Sequence, residues 1–125
     1  AAPYVAKENT IIDIEFLKEK KKYLEQFCDL LIIEGAGGLM VPIEKDLFII
    51  DLIKIFEASA ILIAPSKLGC INDTLLSVNA LKEKNIDFEL FINLYQDIES
   101  FEKVSKPFLI DYFKKLNFLE DLENL

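Results

Sequence analysis

The stretch Leu30-Leu31-Ile32-Ile33-Glu34-Gly35-Ala36-Gly37-Gly38 decides the fold class of this sequence. Its four consecutive apolar residues, followed at once by a glycine-rich turn, are typical of a β-strand that is buried on both faces of a parallel sheet. Residues 60–64 and residues 88–92 form two further apolar runs of the same character. The sequence therefore predicts three buried strands.

Helical patterns separate these strands. Apolar side chains recur with helical spacing in residues 15–27 and 71–84, and a shorter helix is predicted for residues 51–56. Because strands alternate with helices, we expect right-handed crossovers and a parallel sheet. We predict that residues 1–125 form a single α/β domain, a doubly wound and mostly parallel sheet with helices on both faces. Residues 107–125 are predicted to add one or two helices that cover a sheet face.

The charge of the chain limits its partners. The 125 residues carry 14 basic and 22 acidic side chains, which give a formal net charge of −8 at pH 7. Such a surface repels nucleic-acid phosphates and anionic lipids, so we expect neither nucleic acid nor a membrane as a partner. No apolar stretch reaches the roughly 18 residues that span a bilayer, and the first residues lack the layout of a signal peptide. We therefore expect a cytoplasmic protein, and the absence of an initiator methionine indicates that further residues precede this chain.

The sequence contains no histidine and two cysteines, Cys28 and Cys70. The absence of histidine excludes catalytic triads of the Ser-His-Asp and Cys-His kinds. The cysteines do not form a CxxC motif, and we predict that both are buried, reduced thiols. Chemistry is therefore left to carboxylates, lysines, hydroxyls, backbone amides and a bound metal.

Glu34 is the candidate metal ligand. In open parallel sheets, ligands bind beyond the carboxyl ends of the strands, and a carboxylate at the end of a buried strand is costly unless it is paired or binds a cation. The glycines that follow, among them Gly37 and Gly38, allow positive φ angles and a close approach of backbone amides to an anion. The alternative is a tight turn in which Glu34 caps a helix.

The ends of the other two predicted strands offer further candidates. Residues 66–74 lead from a strand into a helix, whose first N–H groups favour a carboxylate or a phosphate. The alternative there is that Asn72 or Asp73 is a plain N-cap. Asn93 can donate and accept hydrogen bonds together, which suits the edge of a purine base, although asparagine is also a common turn residue.

Taken together, these stretches resemble the dethiobiotin synthetase family, ATP-dependent enzymes that close the ureido ring in biotin synthesis. The resemblance spans roughly residues 1–105. It rests on the Glu-Gly-Ala-Gly-Gly of residues 34–38, with Val41-Pro42-Ile43 after it, and on Lys67-Leu68-Gly69-Cys70-Ile71-Asn72, which leads into a helix. Ala2-Pro3-Tyr4-Val5-Ala6 is a weaker match, because the family usually has Ser-Pro-His there.

The resemblance implies roles for the residues in the first half of the chain. It makes Glu34 a ligand of Mg²⁺ between the phosphates of ATP and the substrate. Gly37 and Gly38 correspond to the backbone that passes close to the diamine substrate. Pro3 and Tyr4 fall in a segment that lines the substrate, and Tyr4 replaces the usual histidine.

Five residues of the second half match the family in the same way. Gly69, Cys70, Ile71 and Asn72 correspond to the helix start that receives the carboxylate of the substrate, in that family from the neighbouring subunit of a homodimer. Asn93 falls where the family binds the adenine of ATP. The resemblance thus implies ATP and Mg²⁺ as cofactors and a homodimer as the assembly.

The implied reaction uses 7,8-diaminononanoate, CO₂ and ATP. An amine takes up CO₂ as a carbamate, ATP phosphorylates the carbamate, and the second amine closes the ring with release of phosphate. The family binds the phosphates with a G-x-x-x-x-G-K-[ST] loop, and no such motif occurs in these 125 residues. The resemblance therefore makes this chain the C-terminal portion of a larger P-loop NTPase-like fold, inactive by itself. The alternatives are a non-catalytic binding or scaffold protein and a cobyrinate-type P-loop amidotransferase relative.

Overall fold

The structure is a computed structural model that describes residues 1–124. The chain divides into two compact units, Ala1–Ala58 and Ser59–Leu125. That residues 1–125 form one domain within a larger α/β fold stays a prediction.

The first unit consists of helices and a β-hairpin. Its elements are α1 (Pro3–Ala6), α2 (Ile14–Glu25), β1 (Pro42–Glu44), β2 (Leu47–Phe48) and α3 (Ile49–Ile55). The Asp13 carboxylate caps α2 by accepting a hydrogen bond from the N–H of Phe16 at 3.1 Å. Asp51, in the first turn of α3, accepts from the N–H of Phe48 at 2.8 Å. Carboxylates thus satisfy amide groups at the start of both longer helices.

The second unit is built on a three-stranded parallel sheet. Its elements are β3 (Ala60–Pro65), α4 (Cys70–Glu83), β4 (Phe88–Asn93), α5 (Ile98–Ser100), a π-helical turn (Phe101–Ser105), α6 (Lys106–Phe113), β5 (Asn117–Phe118) and a 3₁₀ helix (Leu119–Asn124). The strand order is β3-β4-β5, and both pairs are parallel. The buried core that joins strands and helices consists of Ala64, Cys70, Ile92, Phe101 and Leu109.

The predicted fold class is confirmed. The predicted strands at residues 60–64 and 88–92 are β3 and β4, and the helix predicted for residues 71–84 is α4. Strand, helix and parallel strand together form a β-α-β unit, the building block of α/β folds. In the first unit, the helices predicted for residues 15–27 and 51–56 are α2 and α3.

The predicted strand at residues 30–33 is wrong for this chain. The segment forms no strand and pairs with none of the strands that the structure describes, and Leu30 and Ile32 are 77% and 81% exposed. A parallel strand is stable only where neighbours take up its backbone N–H and C=O groups and cover both of its faces. The described residues provide neither, so this apolar run lies outside a sheet.

The tail differs from the one or two helices predicted for residues 107–125. It contains α6, but Asn117 and Phe118 form β5, which pairs in parallel with β4, and a 3₁₀ helix follows. Leu125 lies outside the described residues. Between residues 1 and 124, no helix combines the length and the apolar character needed to cross a bilayer.

The structure also corrects two predictions of burial. β3 is not covered on both faces, because Ile61 and Ile63 are exposed. Cys28 is exposed just after α2, where its Sγ donates to the carbonyl oxygen of Leu24 at 3.3 Å. Cys70 is buried as predicted, and both thiols are free.

Candidate functional site

The loop between β3 and α4 brings a helix start to the carboxyl end of the sheet. β3 ends at Pro65, and α4 begins at Cys70 after Gly69, whose φ of +89° lies in the left-handed region. Glycine suits this position because a side chain disfavours that conformation. The alternative that Asn72 or Asp73 is the N-cap is wrong, since Gly69 occupies that position.

The first turn of α4 presents backbone amides rather than a thiol. The N–H groups of Ile71 and Asn72 lie in the turn where an α-helix supplies no carbonyl partner, and the helix dipole makes this end positive. Asn72 is exposed, and its Nδ2 donates to Oδ1 of Asp73 at 3.3 Å. Cys70 is 1% exposed and belongs to the core, so its thiol is not available to a ligand.

Asn93 lies at the same edge of the sheet as this helix start. It is the last residue of β4 and is paired in register with Pro65, the last residue of β3. Because the two strands are parallel, the loops that follow them leave the sheet at one edge, where open α/β folds bind ligands. The structure therefore brings Asn93 and the segment from Gly69 to Asn72 to one edge.

Two side chains join these loops. The buried Ser66 Oγ donates to the carbonyl oxygen of Gln96 at 2.5 Å and accepts from the N–H groups of Tyr95 and Gln96, both at 3.3 Å. Oδ2 of Asp97 accepts from the N–H of Leu68 at 3.0 Å. Ser66 and Asp97 were not among the predicted site residues, because a hydroxyl or carboxylate just after a strand is common in ordinary turns.

The glycine-rich turn of the first unit is closely packed on one side and open on the other. Gly37 has a φ of +84°, and a Cβ there would lie 2.9 Å from Cγ2 of Val41. A Cβ on Gly35 would lie 2.7 Å from Cγ2 of Ile49, whereas one on Gly38 would meet nothing within 4 Å. Gly35 and Gly37 thus serve the packing of the turn, and Gly38 leaves its backbone accessible.

Glu34 is exposed directly before this turn. The alternative that it caps a helix is wrong, because the next helix, α3, begins at Ile49 and takes its carboxylate contact from Asp51. An exposed carboxylate fits Mg²⁺, which keeps several waters and takes one or two carboxylates together with phosphate oxygens. Within residues 1–124, no group of three His, Cys, Asp or Glu side chains could hold a metal ion. The role of Glu34 as a Mg²⁺ ligand therefore stays a prediction that needs ligands beyond these residues.

The chain fits the base of ATP better than its phosphates. Asn93 provides an amide group at the ligand-binding edge of the sheet, and that group can pair with a purine. A triphosphate needs a cradle of backbone N–H groups with a lysine, and the sequence lacks the glycine-rich motif that provides one. These residues alone therefore do not fit the triphosphate.

Pro3 and Tyr4 open α1, which contacts β1. Tyr4 is exposed, and Nζ of Lys7 lies 5.4 Å from the centroid of its ring. The same Nζ lies 2.9 Å from Oε2 of Glu44 on β1, and Oε1 of Glu44 accepts from the N–H of Ile12 at 3.0 Å. An ion pair thus holds this segment against the hairpin, and the sequence did not predict it because its members are 37 positions apart.

Some of the predicted site residues lie in the first unit and the others lie in the second. Those in the first unit are Pro3, Tyr4, Glu34, Gly37 and Gly38. Those in the second unit are Gly69, Cys70, Ile71, Asn72 and Asn93. The roles assigned to these residues stay predictions. What the structure shows is that those in the second unit lie at one edge of its sheet.

Comparison with known proteins gives consistent matches. A family model described as an AAA domain matches residues 2–124. The ATP-dependent dethiobiotin synthetase BioD of Sulfurovum sp. (strain NBC37-1) is 55% identical over 108 residues, which cover 86% of this chain and 51% of the relative. The protein of that name from Wolinella succinogenes is 38% identical over 129 residues, covering 100% of this chain and 60% of the relative. The chain spans about half the length of the curated relatives it matches.

Proposed function

Because the chain belongs to the family of AAA domains described by that model, and its resemblance to dethiobiotin synthetase is confirmed, we propose that it supplies the substrate-carboxylate and adenine-binding part of such an enzyme. The proposed reaction is the ATP- and Mg²⁺-dependent ring-closing carboxylation of 7,8-diaminononanoate to dethiobiotin. We propose a cytoplasmic homodimer as its form. The observation that carries the proposal is the common sheet edge of the α4 start and Asn93.

The helix start is suited to the carboxylate of the diamine. The N–H groups of Ile71 and Asn72 and the positive end of the α4 dipole are fixed partial charges that need no rearrangement when an anion arrives. Gly69 carries no side chain, and a Cβ there would meet nothing within 4 Å, so the approach to these amides is open. A carboxylate bound at this point would orient the long diamine, which is the positioning that this kind of reaction needs.

Glu34 is the proposed Mg²⁺ ligand. Bound Mg²⁺ neutralises the negative charge that develops on the oxygens of a phosphoryl group during its transfer. Glu34 would hold the ion through its exposed carboxylate, and Gly38 leaves its backbone accessible for the close approach of a ligand. The described residues contribute binding and orientation, and the phosphate cradle is absent from their sequence.

The test is a chimera that joins the portion of the Sulfurovum relative not matched here to this 125-residue chain. At 55% identity, we expect most core contacts of the replaced part to be retained. The chimera should convert 7,8-diaminononanoate, CO₂ and ATP to dethiobiotin, and the 125-residue chain alone should not. A folded chimera that binds ATP but gives no product from the diamine would contradict the proposed function and favour a binding or scaffold role. Amidation of a corrinoid precursor would instead favour the cobyrinate-type alternative.

Two variants of the chimera test the assigned residues. Glu34→Gln should lower Mg²⁺-dependent turnover by about 100-fold or more, the scale for losing a group that neutralises developing charge, while the exposed Glu83→Gln should not. Asn72→Asp should raise KM for the diamine, because it adds a negative charge beside the N–H groups proposed to receive the carboxylate, and Asn79→Asp, an exposed change on the same helix, is its control. Wild-type turnover in Glu34→Gln would refute the metal role.

A further inference from the structure

We propose that Asp97 is a positioning residue that holds the loop before α4 in the shape that receives the carboxylate of the substrate. The inference rests on the proposed function, because it assigns a role to a residue that acts on the proposed carboxylate site. Oδ2 of Asp97 accepts a hydrogen bond from the N–H of Leu68 at 3.0 Å, across 29 positions of sequence. Leu68 directly precedes Gly69, the N-cap of α4.

The loop that carries Asp97 is itself anchored to the end of β3. Ser66 is 1% exposed, and its hydroxyl makes three hydrogen bonds to the backbone of Tyr95 and Gln96. Pro65, just before Ser66, is paired in register with Asn93. Each loop therefore holds the other: Ser66 fixes the residues before Asp97, and Asp97 fixes the residue before Gly69.

The backbone explains why such a restraint is needed. Gly69 sits at a φ of +89°, and a glycine is free to leave that conformation at little cost. The turn is also held by the hydrogen bonds from the N–H of Cys70 to the carbonyl oxygen of Lys67 at 3.1 Å and from the N–H of Asp73 to that of Gly69 at 3.3 Å. The hydrogen bond from Leu68 to Asp97 restricts the motion of the residue before Gly69. The start of α4 is therefore preorganised before the ligand binds.

Asp97 is suited to the task by its own conformation. Its φ of +50° is left-handed, a region that aspartate and asparagine tolerate better than most residues. Asp97→Asn keeps both this tolerance and an acceptor oxygen. Asp97→Gly and Asp97→Ala both lose the acceptor, but glycine accepts the left-handed backbone and alanine resists it. An effect common to Gly and Ala and absent in Asn is therefore due to the lost hydrogen bond.

The experiment uses the full 125-residue chain and two ligands. Titration calorimetry measures the affinity for 7,8-diaminononanoate and for 2,3-diaminooctane, the same diamine without the carboxylate. NMR follows the exchange rate of the Leu68 amide and the amide signals of residues 69–72. In Asp97→Gly and Asp97→Ala we expect the Leu68 amide to exchange at least about tenfold faster. We also expect the preference for the carboxylate-bearing diamine to fall about tenfold, which is the scale for losing a hydrogen bond to a charged group. Asp97→Asn should retain most of both.

The outcomes separate the inference from the function on which it rests. A wild-type chain that does not prefer the carboxylate-bearing diamine contradicts the proposed carboxylate site, and the positioning role falls with it. A wild-type preference that survives in the Gly and Ala variants overturns the role of Asp97 alone. Unchanged Leu68 exchange in those variants overturns it as well, whatever the ligands do. Equal loss of preference in Asn, Gly and Ala would mean that the negative charge matters and not the hydrogen bond, which also contradicts the inference.

Discussion

Among the described residues, Thr74 has a buried side-chain hydroxyl without a hydrogen-bond partner. It lies on α4 and is 1% exposed, and its Oγ1 is the buried side-chain oxygen or nitrogen for which the described residues offer no hydrogen-bond partner. A buried hydroxyl without a partner costs about 1–3 kcal/mol relative to a satisfied one. The hydroxyl therefore contributes no hydrogen bond to the stability of the second unit.

The prediction is that Thr74→Val leaves the free energy of unfolding unchanged or raises it by about 1 kcal/mol, because the change removes an unsatisfied hydroxyl and nearly keeps the shape. Urea denaturation followed by circular dichroism measures it. Thr10→Val, at an exposed position, is the matched control. A loss of more than about 1 kcal/mol in Thr74→Val alone would show that the hydroxyl has a partner in solution.

Single residues also show how far the sequence predicts the site. Asn72 and Asn93 became candidates because each stands at a fixed place in a local pattern, at the start of a helical run or at the end of an apolar one, and Gly69 became one through the family resemblance; their roles stay predictions. Ser66 and Asp97 depend on contacts 30 and 29 positions away. A local pattern does not contain that information, so these two residues emerged only from the folded chain.

At the scale of elements, the ion pair between Lys7, directly after α1, and Glu44 on β1 predicts a dependence on pH. The backbone N–H of Ile12 and the ammonium of Lys7 favour the charged carboxylate of Glu44 and hold its pKa below the ordinary value for glutamate. A lowered pKa in the folded chain means that the unfolded chain binds the proton more readily. The contacts therefore stabilise the segment fully above the ordinary glutamate pKa, and this stabilisation is lost as the pH falls through the lowered value.

The measurement is exchange of the Ile12 amide, followed by NMR from about pH 7 down to about pH 3 across the ordinary glutamate pKa. After correction for the intrinsic pH dependence of exchange, protection of this amide should fall on acidification. Glu44→Gln should remove the pH dependence, because glutamine does not titrate in this range. Protection that is constant with pH in the wild-type chain would mean that Glu44 does not hold this segment.

Elements differ in how well the sequence predicts them. The β-α-β unit of β3, α4 and β4 was predicted because each piece has a clear apolar period and its partners lie within this chain. The strand predicted at residues 30–33 has the same apolar signal but no partner among the described residues. β5 was missed for the opposite reason, since two residues carry no periodic signal and become a strand through pairing with Phe91 and Ile92.

At the scale of the whole molecule, the first unit exposes several large apolar side chains. Phe16 and Leu24 on α2 and Leu30 and Ile32 after it are all exposed. The curated relatives are about twice as long as the part that matches this chain. We therefore expect residues 30–33 to become a buried strand when the remaining portion of the family fold is present, as the chimera provides.

This expectation is tested by one substitution in two proteins. Ile32→Lys in the 125-residue chain should change the free energy of unfolding by no more than about 0.5 kcal/mol, because the side chain is 81% exposed. In the chimera, the same change should cost more than about 3 kcal/mol or prevent soluble expression, because a lysine charge would be buried without a partner in a strand covered on both faces.

Ile11→Lys is the matched control, since Ile11 has the same exposed fraction of 81% and follows no apolar run. It should be tolerated in both proteins. Denaturation of the four variants measures the difference between the two positions. If Ile32→Lys is tolerated in the chimera as well as Ile11→Lys, residues 30–33 are not a buried strand of the family fold. Glu34 would then not stand at the end of a strand, and the physical argument that places a metal ligand there would lose its basis.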